Sequence, residues 1–166
     1  LEDNRHASEC WEIDVICDPH HTAERDFMDQ RAGGIDSVIA KNMAERCIAL
    51  EVSFSALLPI WGRRRADVLG RIRQNLTLAQ QNGVPVIAAT GADTGLATRS
   101  PHDCRTLLRL IGTGEKQAKD AIIAHPQWLV EKARARKDPN ILLSGLEVTD
   151  WGDYQPPQHK RKYGWY

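Results

Sequence analysis

Short apolar runs and stretches of helical periodicity alternate along most of the chain. The apolar runs predict strands at residues 12–17, 48–54 and 84–89, and apolar residues three or four positions apart predict helices at residues 37–46, 62–81 and 101–111. A strand followed by a helix, three times in succession, is typical of an α/β fold with a parallel sheet. Further along, residues 114–124 and 126–136 predict two more helices, and residues 141–148 predict either a short strand or an extended arm.

The helix over residues 62–81 has the clearest division into two faces. Its apolar stripe contains Val68, Leu69, Ile72, Leu76 and Ala79. Arg63, Arg64 and Arg71 fall on the other side, so we expect these three arginines to face solvent.

The composition is that of an ordinary globular protein, with 42% hydrophobic and 27% charged residues. No apolar run approaches the roughly 18 residues that a membrane span requires, and the polar residues 1–6 do not resemble a signal peptide. The four cysteines lack C-x-x-C spacing, and Cys17, Cys47 and Cys104 have apolar neighbours, so we expect packed, reduced thiols in a cytoplasmic protein. We expect residues 1–150 to form one domain and the basic, aromatic tail of residues 151–166 to be flexible.

The charges cancel overall but are unevenly distributed. There are 22 basic and 22 acidic residues, so the net charge neither favours nor excludes nucleic acid, yet residues 61–83 contain five Arg and a single acid. Arg63, Arg64 and Arg65 occupy the first turn of a predicted helix, where cations oppose the helix dipole by ~0.3–1 kcal/mol. This placement favours a phosphate partner, because Arg binds phosphate through planar, bidentate contacts. A solvated helix face is the alternative.

Two further basic groups carry a weaker signal. Arg105 and Arg109 are four residues apart and share one face of a predicted helix, which suits either RNA or solvent. In the tail, Lys-Arg-Lys at residues 160–162 stands beside Tyr163 and Trp165, which suits backbone contact with base stacking, and disorder is the alternative.

Several segments, taken in order, form a recognisable series. They are Asp14-Val-Ile-Cys-Asp-Pro19, Gly34-Ile-Asp-Ser-Val-Ile-Ala-Lys41, Ala49-Leu-Glu-Val-Ser-Phe-Ser-Ala-Leu-Leu58, Arg63-Arg64-Arg65 with Asn75-Leu76, Val84-Pro-Val-Ile87 and Arg99-Ser100-Pro101. No single motif is specific, but the series resembles the archaeal ribonuclease P protein component 3 family, in register from Glu12 to Val148. Residues 118–123 and 145–148 are similar to its longer, methanogen-type members.

The resemblance implies a TIM-barrel-like fold related to the PHP phosphoesterases. In that family several strands and helices precede the part present in this sequence, so we expect parallel βα repeats that form only the C-terminal part of the barrel. The expected function is that of a ribonuclease P subunit, which binds the catalytic RNA and supports 5′-leader removal from precursor tRNA. The RNA would perform the hydrolysis with Mg²⁺, and this subunit would bind no cofactor itself. It would pair with ribonuclease P protein component 2 as a heterodimer or heterotetramer, away from any membrane.

The resemblance also bears on which basic residues to expect at the RNA. Lys41 and Arg99 match positions that the family usually keeps basic. Together with the residues chosen from charge patterning, the expected RNA contacts are Lys41, Arg63, Arg64, Arg65, Arg71, Arg99 and Arg105.

Two segments depart from the metal-binding pattern of PHP enzymes. The strand end that usually reads Asp-x-x-x-His-Pro has Asp18 in place of the His. The strand end that usually reads Ser-Asp-Ala-His has Gly91 in place of the Asp and Asp93 in place of the His. A two-metal hydrolase needs several fixed ligands, so we expect no catalytic residue and no metal centre here. The adjacent His20 and His21 are expected to lie in a polar loop, and a stray metal site formed with Asp18 and Asp93 is the alternative. A degenerate PHP-type metal-dependent phosphoesterase and a scaffold that binds only protein are the alternative functions.

Overall fold

The computed structural model describes residues 2–10, 12–21, 25–143 and 145–156. In this part of the chain the elements are α1 (Glu2–Glu9), β1 (Val15–Cys17), α2 (Ser37–Glu45), β2 (Ala49–Ser53), α3 (Gly62–Asn82), β3 (Val86–Ala89), α4 (Pro101–Ile111), α5 (Glu115–Asp120), α6 (Ala124–Lys137), β4 (Ile141–Leu143) and β5 (Leu146–Glu147). The predicted elements are confirmed, although the strands are shorter than predicted and the helix predicted over residues 114–124 covers only Glu115–Asp120. Helix α1 was not predicted, and β4 and β5 pair antiparallel where a single strand or an arm was expected.

The first three strands form a parallel sheet in the order β1-β2-β3. Val15 aligns with Ala49, and Leu50 aligns with Val86. Since α2 and α3 connect successive strands, the chain follows the βα pattern that the sequence predicts, and the fold is α/β, consistent with part of a TIM-barrel-like domain.

Helix ends are set by local side chains. The Asp36 carboxylate accepts a hydrogen bond from the Ile39 amide and begins α2. Gly83 ends α3 with a φ of 74°, in the left-handed region that glycine adopts readily. Ser100 and Asp103 form a reciprocal capping box at the start of α4.

The outer edge of β3 meets a helix connection, not another strand. Nδ1 of His125 lies 3.2 Å from the Val86 nitrogen and 2.7 Å from the Val86 carbonyl oxygen. The Ala88 amide donates to the Ala121 carbonyl at 3.1 Å. The Ala88 amide is thus paired, and His125 Nδ1, which either accepts from the Val86 amide or donates to the Val86 carbonyl, pairs one further backbone group that an edge strand would otherwise leave unpaired.

Two apolar clusters make up the core. One includes Ile39, Met43 and Leu50 and joins α2 to the sheet. The other includes Ile72 and Leu108 and joins α3 to α4. Because α3 contributes to both clusters, its position is fixed along most of its length, which matters for the side chains that it carries.

The chain divides into two compact units, residues 1–125 and 126–166. In the second unit, β4 and β5 pair antiparallel, and the Trp151 indole donates to Asn140 Oδ1 at 2.8 Å. The proposed domain boundary at residue 150 stays a prediction. The basic residues 160–162 of the tail, with Tyr163 and Trp165, lie outside the described residues. None of the described helices has the length and apolar character needed to cross a bilayer.

The prediction of packed cysteines is right for one residue and wrong for two. Cys104 is buried, but Cys17 and Cys47 are exposed. Cys17 lies on the polar face of β1, where its sulfur is 3.4 Å from the Glu51 carboxylate, and Cys47 lies in the turn after α2 with a φ of 53°. Apolar neighbours along the sequence therefore did not determine which way these side chains face.

Candidate nucleic-acid interface

The first turn of α3 presents its side chains to solvent. The residue at its N-cap, Trp61, has an extended backbone and is 74% exposed, and Gly62 turns the chain with a φ of 59°. Arg63 and Arg64 follow and are exposed. Within the described part of the chain neither of them forms an ion pair, so their charges are available to an external anion.

Arg65, in the same turn, is held by the backbone of the loop between β2 and α3. Its Nε donates to the Ile60 carbonyl at 2.6 Å, and one Nη lies 3.3 Å and 3.4 Å from the carbonyls of Leu57 and Leu58. The same guanidinium stacks on Trp61, with Cζ 4.4 Å from the ring centroid. Arg65 therefore orders the loop and supports the indole.

Arg99 reaches the same loop from the neighbouring β3–α4 connection. The two connections run side by side, since the amide of Phe54 donates to Ala89 and the amide of Ser55 donates to Thr90, each at 2.9 Å. The Arg99 guanidinium donates to the carbonyls of its own loop and lies 6.0 Å from the Phe54 ring centroid. The structure thus gathers Arg99 with the first turn of α3 at the carboxyl edge of the sheet, where sites in parallel βα folds are built.

Two other expected contacts lie elsewhere. Lys41 is exposed on α2. Arg105 lies 3.7 Å from a carboxylate oxygen of Glu115, which also pairs with Arg109 at 2.9 Å. Among the described residues no hydrogen bond, ion pair or ring contact joins Lys41 or Arg105 to the β2–α3 loop.

The prediction that Arg71 faces solvent is wrong. The residue is only 9% exposed, and its Nε donates to Asp26 Oδ1 at 2.7 Å, while one Nη lies 3.5 Å from the His20 carbonyl. The reason is that residues 25–34, which precede α2, pack across the middle of α3 and bury a wider face than the apolar stripe indicates. We therefore remove Arg71 from the expected RNA contacts.

The Asp26–Arg71 pair is part of a polar attachment of residues 25–34 to α3. Burial raises the pKa of Asp26, but the Ala32 amide and the Arg71 guanidinium outweigh it and hold that pKa below its usual value. Further along α3, the Asn75 side-chain amide donates to the Gly33 carbonyl at 2.7 Å. This attachment is internal and leaves those groups unavailable to a ligand.

Two of the three degenerate metal positions are engaged within the fold. Asp18 Oδ1 accepts a hydrogen bond from the Ser53 amide at 2.7 Å. Gly91 has a φ of 56°, and a Cβ placed on it would lie 2.7 Å from Ser55 Oγ and 2.8 Å from Ser53 Cβ. Asp93 is exposed. Over residues 2–10, 12–21, 25–143 and 145–156, no three His, Cys, Asp or Glu side chains converge in a way that suits a metal ion.

His20 is buried, contrary to the prediction of a polar loop, whereas His21 is exposed. The His20 ring is 1% exposed, and neither ring nitrogen has a hydrogen-bond partner among the described residues. Burial lowers the pKa of His20 to about 4, against an opposing effect of Asp18, whose Oδ1 is 3.8 Å from Nε2. At neutral pH the ring is therefore uncharged and forms no ion pair.

Sequence reasoning did not single out three residues that contact the arginines. Trp61 lies beside Arg65, Phe54 lies beside Arg99, and Asp26 pairs with Arg71. The sequence signal for Trp61 was its place two positions before a run of three arginines, separated from them by Gly62. Phe54 looked like the end of a strand, and nothing in the sequence indicates that Asp26 partners Arg71.

Comparison with known proteins gives consistent matches over most of the chain. The family model described as RNase P subunit p30 matches residues 2–138. Ribonuclease P protein component 3 of Methanosarcina barkeri is 30% identical over 151 residues, which are 91% of this chain and 59% of that protein. The Methanocaldococcus jannaschii component 3 is 28% identical over 164 residues, 99% of this chain and 59% of that protein. The chain thus spans about three fifths of the length of these relatives.

A solved structure agrees with the sequence matches. One chain of the cryo-EM structure of archaeal ribonuclease P with mature tRNA superposes with a TM-score of 0.67 and 28% identity. The match covers 77% of this chain and 52% of that chain. Because the family model matches well over half of the residues, this chain belongs to the RNase P subunit p30 family.

Proposed function

We propose that this chain acts in ribonuclease P, where it binds and supports the catalytic RNA during 5′-leader removal from precursor tRNA. The observation that carries the proposal is the family match over residues 2–138. The complex is the endoribonuclease, and the hydrolysis is performed by the RNA, with Mg²⁺ held mainly by RNA. The role of this chain is to neutralise phosphate and to hold the RNA in shape.

The arrangement of basic side chains supports an RNA-facing surface. Arg63 and Arg64 project from the carboxyl edge of the sheet, and Arg65 and Arg99 are fixed to the same loop. Arg side chains that replace counterions around phosphates make binding strongly salt-dependent. Lys41 and Arg105 stay in the proposed contact set, with Arg105 drawn partly away by Glu115.

The remaining proposals concern the surroundings of the chain. We place it in the cytoplasm, with ribonuclease P RNA and precursor tRNA as partners. Its protein partner is ribonuclease P protein component 2, in a heterodimer or heterotetramer. Its sheet is part of a PHP-related barrel that further strands complete.

Reconstitution tests the proposed function. Ribonuclease P would be assembled from its RNA and the other protein subunits, with and without the full-length protein, and cleavage of 5′-labelled precursor tRNA measured at limiting Mg²⁺. We expect the cleavage rate to fall at least tenfold when the protein is omitted. An equal rate with and without it would contradict the proposal.

The phosphoesterase alternative predicts a different outcome. Its substrate would be a generic phosphodiester, hydrolysed with Mn²⁺ or Zn²⁺ and no RNA present. The tight surroundings of Gly91 and the hydrogen bond that Asp18 accepts from Ser53 disfavour it, because a two-metal mechanism needs several free, fixed ligands. Metal-dependent turnover by the full-length protein alone would favour it over the RNA-supporting role.

A further inference from the structure

We propose that Trp61, backed by Arg65, is a stacking platform for an unpaired RNA base. The inference rests on the proposed function, which it deepens by naming the part of the RNA that is bound. It concerns the face of the indole opposite the arginine.

The indole is held in place on one side and open on the other. The Arg65 guanidinium lies 4.4 Å from the ring centroid, and three loop carbonyls fix that guanidinium in turn. Even so, the tryptophan is 74% exposed. A ring with one face covered by a fixed cation and most of its surface in water offers its second face to a planar ligand.

This exposure distinguishes Trp61 from the other tryptophans that the structure describes. Trp128 is half-buried and lies under Lys132, and Trp151 is half-buried and donates to Asn140. The surroundings of those two rings account for their positions. Trp61 also lies beside a cation, Arg65, but unlike the other two rings it is mostly in water, with 74% of the residue exposed.

The neighbouring charges indicate nucleic acid as the ligand. Arg63 and Arg64 follow the indole within one helical turn and are exposed, without ion pairs among residues 2–10, 12–21, 25–143 and 145–156. An aromatic ring beside unpaired arginines is how proteins bind single strands, with the base stacked and the phosphates neutralised. A paired base presents only its edges, so the ligand is an unpaired nucleotide in a loop, bulge or end.

The test compares a single-stranded RNA of mixed sequence with a blunt duplex of the same sequence. Dissociation constants would be measured by fluorescence anisotropy over a range of KCl concentrations, with the full-length protein. The variants are Trp61→Ala, Trp61→Phe as the conservative control, and the double variant Arg63→Ala/Arg64→Ala. Because Trp61 is exposed, thermal unfolding of the Trp61 variants should match that of the wild type.

We expect Trp61→Ala to bind the single strand on the order of tenfold more weakly, which lies within the measured range for loss of one stacked base. Its salt slope and its duplex affinity should not change, because stacking releases no counterions. Trp61→Phe should stay close to wild type. The double Arg variant should instead lower the salt slope.

Three results would overturn the platform. If Trp61→Ala bound the single strand as tightly as the wild type does, the ring would have no role in RNA binding. If the double Arg variant still bound RNA more weakly in that case, the proposed function would stand. Equal weakening towards single strand and duplex would show that the ring does not stack on a base. Loss of binding to component 2, with RNA affinity intact, would make Trp61 a protein contact.

Discussion

The first turn and the middle of α3 carry the same residue type in opposite situations. In the first turn, Arg63 and Arg64 are exposed. Two turns later, Arg71 is buried and its guanidinium is 2.7 Å from Asp26. One helix therefore carries arginines that face solvent and an arginine that holds the fold together.

What separates the two regions is what packs beside them. The middle of α3 lies under residues 25–34, which attach to it through Asp26, Gly33 and Arg31. Nothing in the described chain covers the first turn in the same way. A cation covered by protein is stable only with a partner, whereas an exposed one needs none and is free to bind phosphate.

The largest expected effect comes from Arg71. Arg71→Ala removes a charged partner of Asp26, whose carboxylate stays partly buried with the Ala32 amide and Arg31, and it removes a buried side chain, so we expect the free energy of unfolding to fall by about 3 kcal/mol in urea denaturation. In a double-mutant cycle with Asp26→Ala, the combined loss should be clearly smaller than the sum of the two single losses. Additive losses would contradict the internal role of Arg71.

The second effect is a pH dependence caused by His20, next to the same attachment. The pKa of His20 is lowered from 6.5 to about 4 in the folded chain, so the unfolded chain takes up the proton first as the pH falls. The neutral His20 ring contributes up to about 3 kcal/mol to the free energy of unfolding. This contribution is complete above pH 6.5 and is lost as the pH falls from 6.5 to about 4. When the free energy of unfolding is measured by urea denaturation at several pH values, His20→Gln should not show this loss between pH 6.5 and about 4. Parallel profiles for variant and wild type would refute the assignment.

A smaller effect is expected at Arg65, which is held by the fold and also belongs to the proposed RNA contacts. Arg65→Ala loses contacts with three loop carbonyls and should cost about 1–2 kcal/mol of unfolding free energy. Arg65→Lys keeps the charge but not the planar donors, so it should lose nearly as much stability while it keeps the salt dependence of RNA binding. If the lysine restored full stability, the carbonyl contacts would not be what fixes this side chain.

The smallest effect on stability is expected at the two exposed arginines. The free energy of unfolding of the double variant Arg63→Ala/Arg64→Ala should lie within about 0.5 kcal/mol of the wild-type value. Any change should be towards higher stability, because cations at a helix N-terminus oppose the helix dipole. Urea denaturation checks this value. A loss comparable with that of Arg71→Ala would mean that both regions of α3 are structural.

The sequence predicted the βα order and the exposed arginines Arg63 and Arg64, because these depend on local pattern. It did not predict the burial of Arg71 and His20, because Arg71 contacts Asp26 and the His20 carbonyl across 45 and 51 positions of sequence, and periodicity does not report such distant contacts. The orientation of Cys17 was missed for a related reason, since a three-residue strand has too little alternation to show which face it buries.

The salt dependence of binding to ribonuclease P RNA shows directly whether the first turn of α3 faces RNA. Dissociation constants of the full-length wild type, Arg63→Ala/Arg64→Ala and Arg71→Ala would be measured by filter binding from low to moderate KCl, under conditions where each variant is folded. We expect the slope of log affinity against log salt to become shallower by roughly 1.4–1.8 for the double variant, from ~0.7–0.9 per lost phosphate contact. We expect the wild-type slope for Arg71→Ala. An unchanged slope in the double variant would contradict the claim that the first turn of α3 faces RNA.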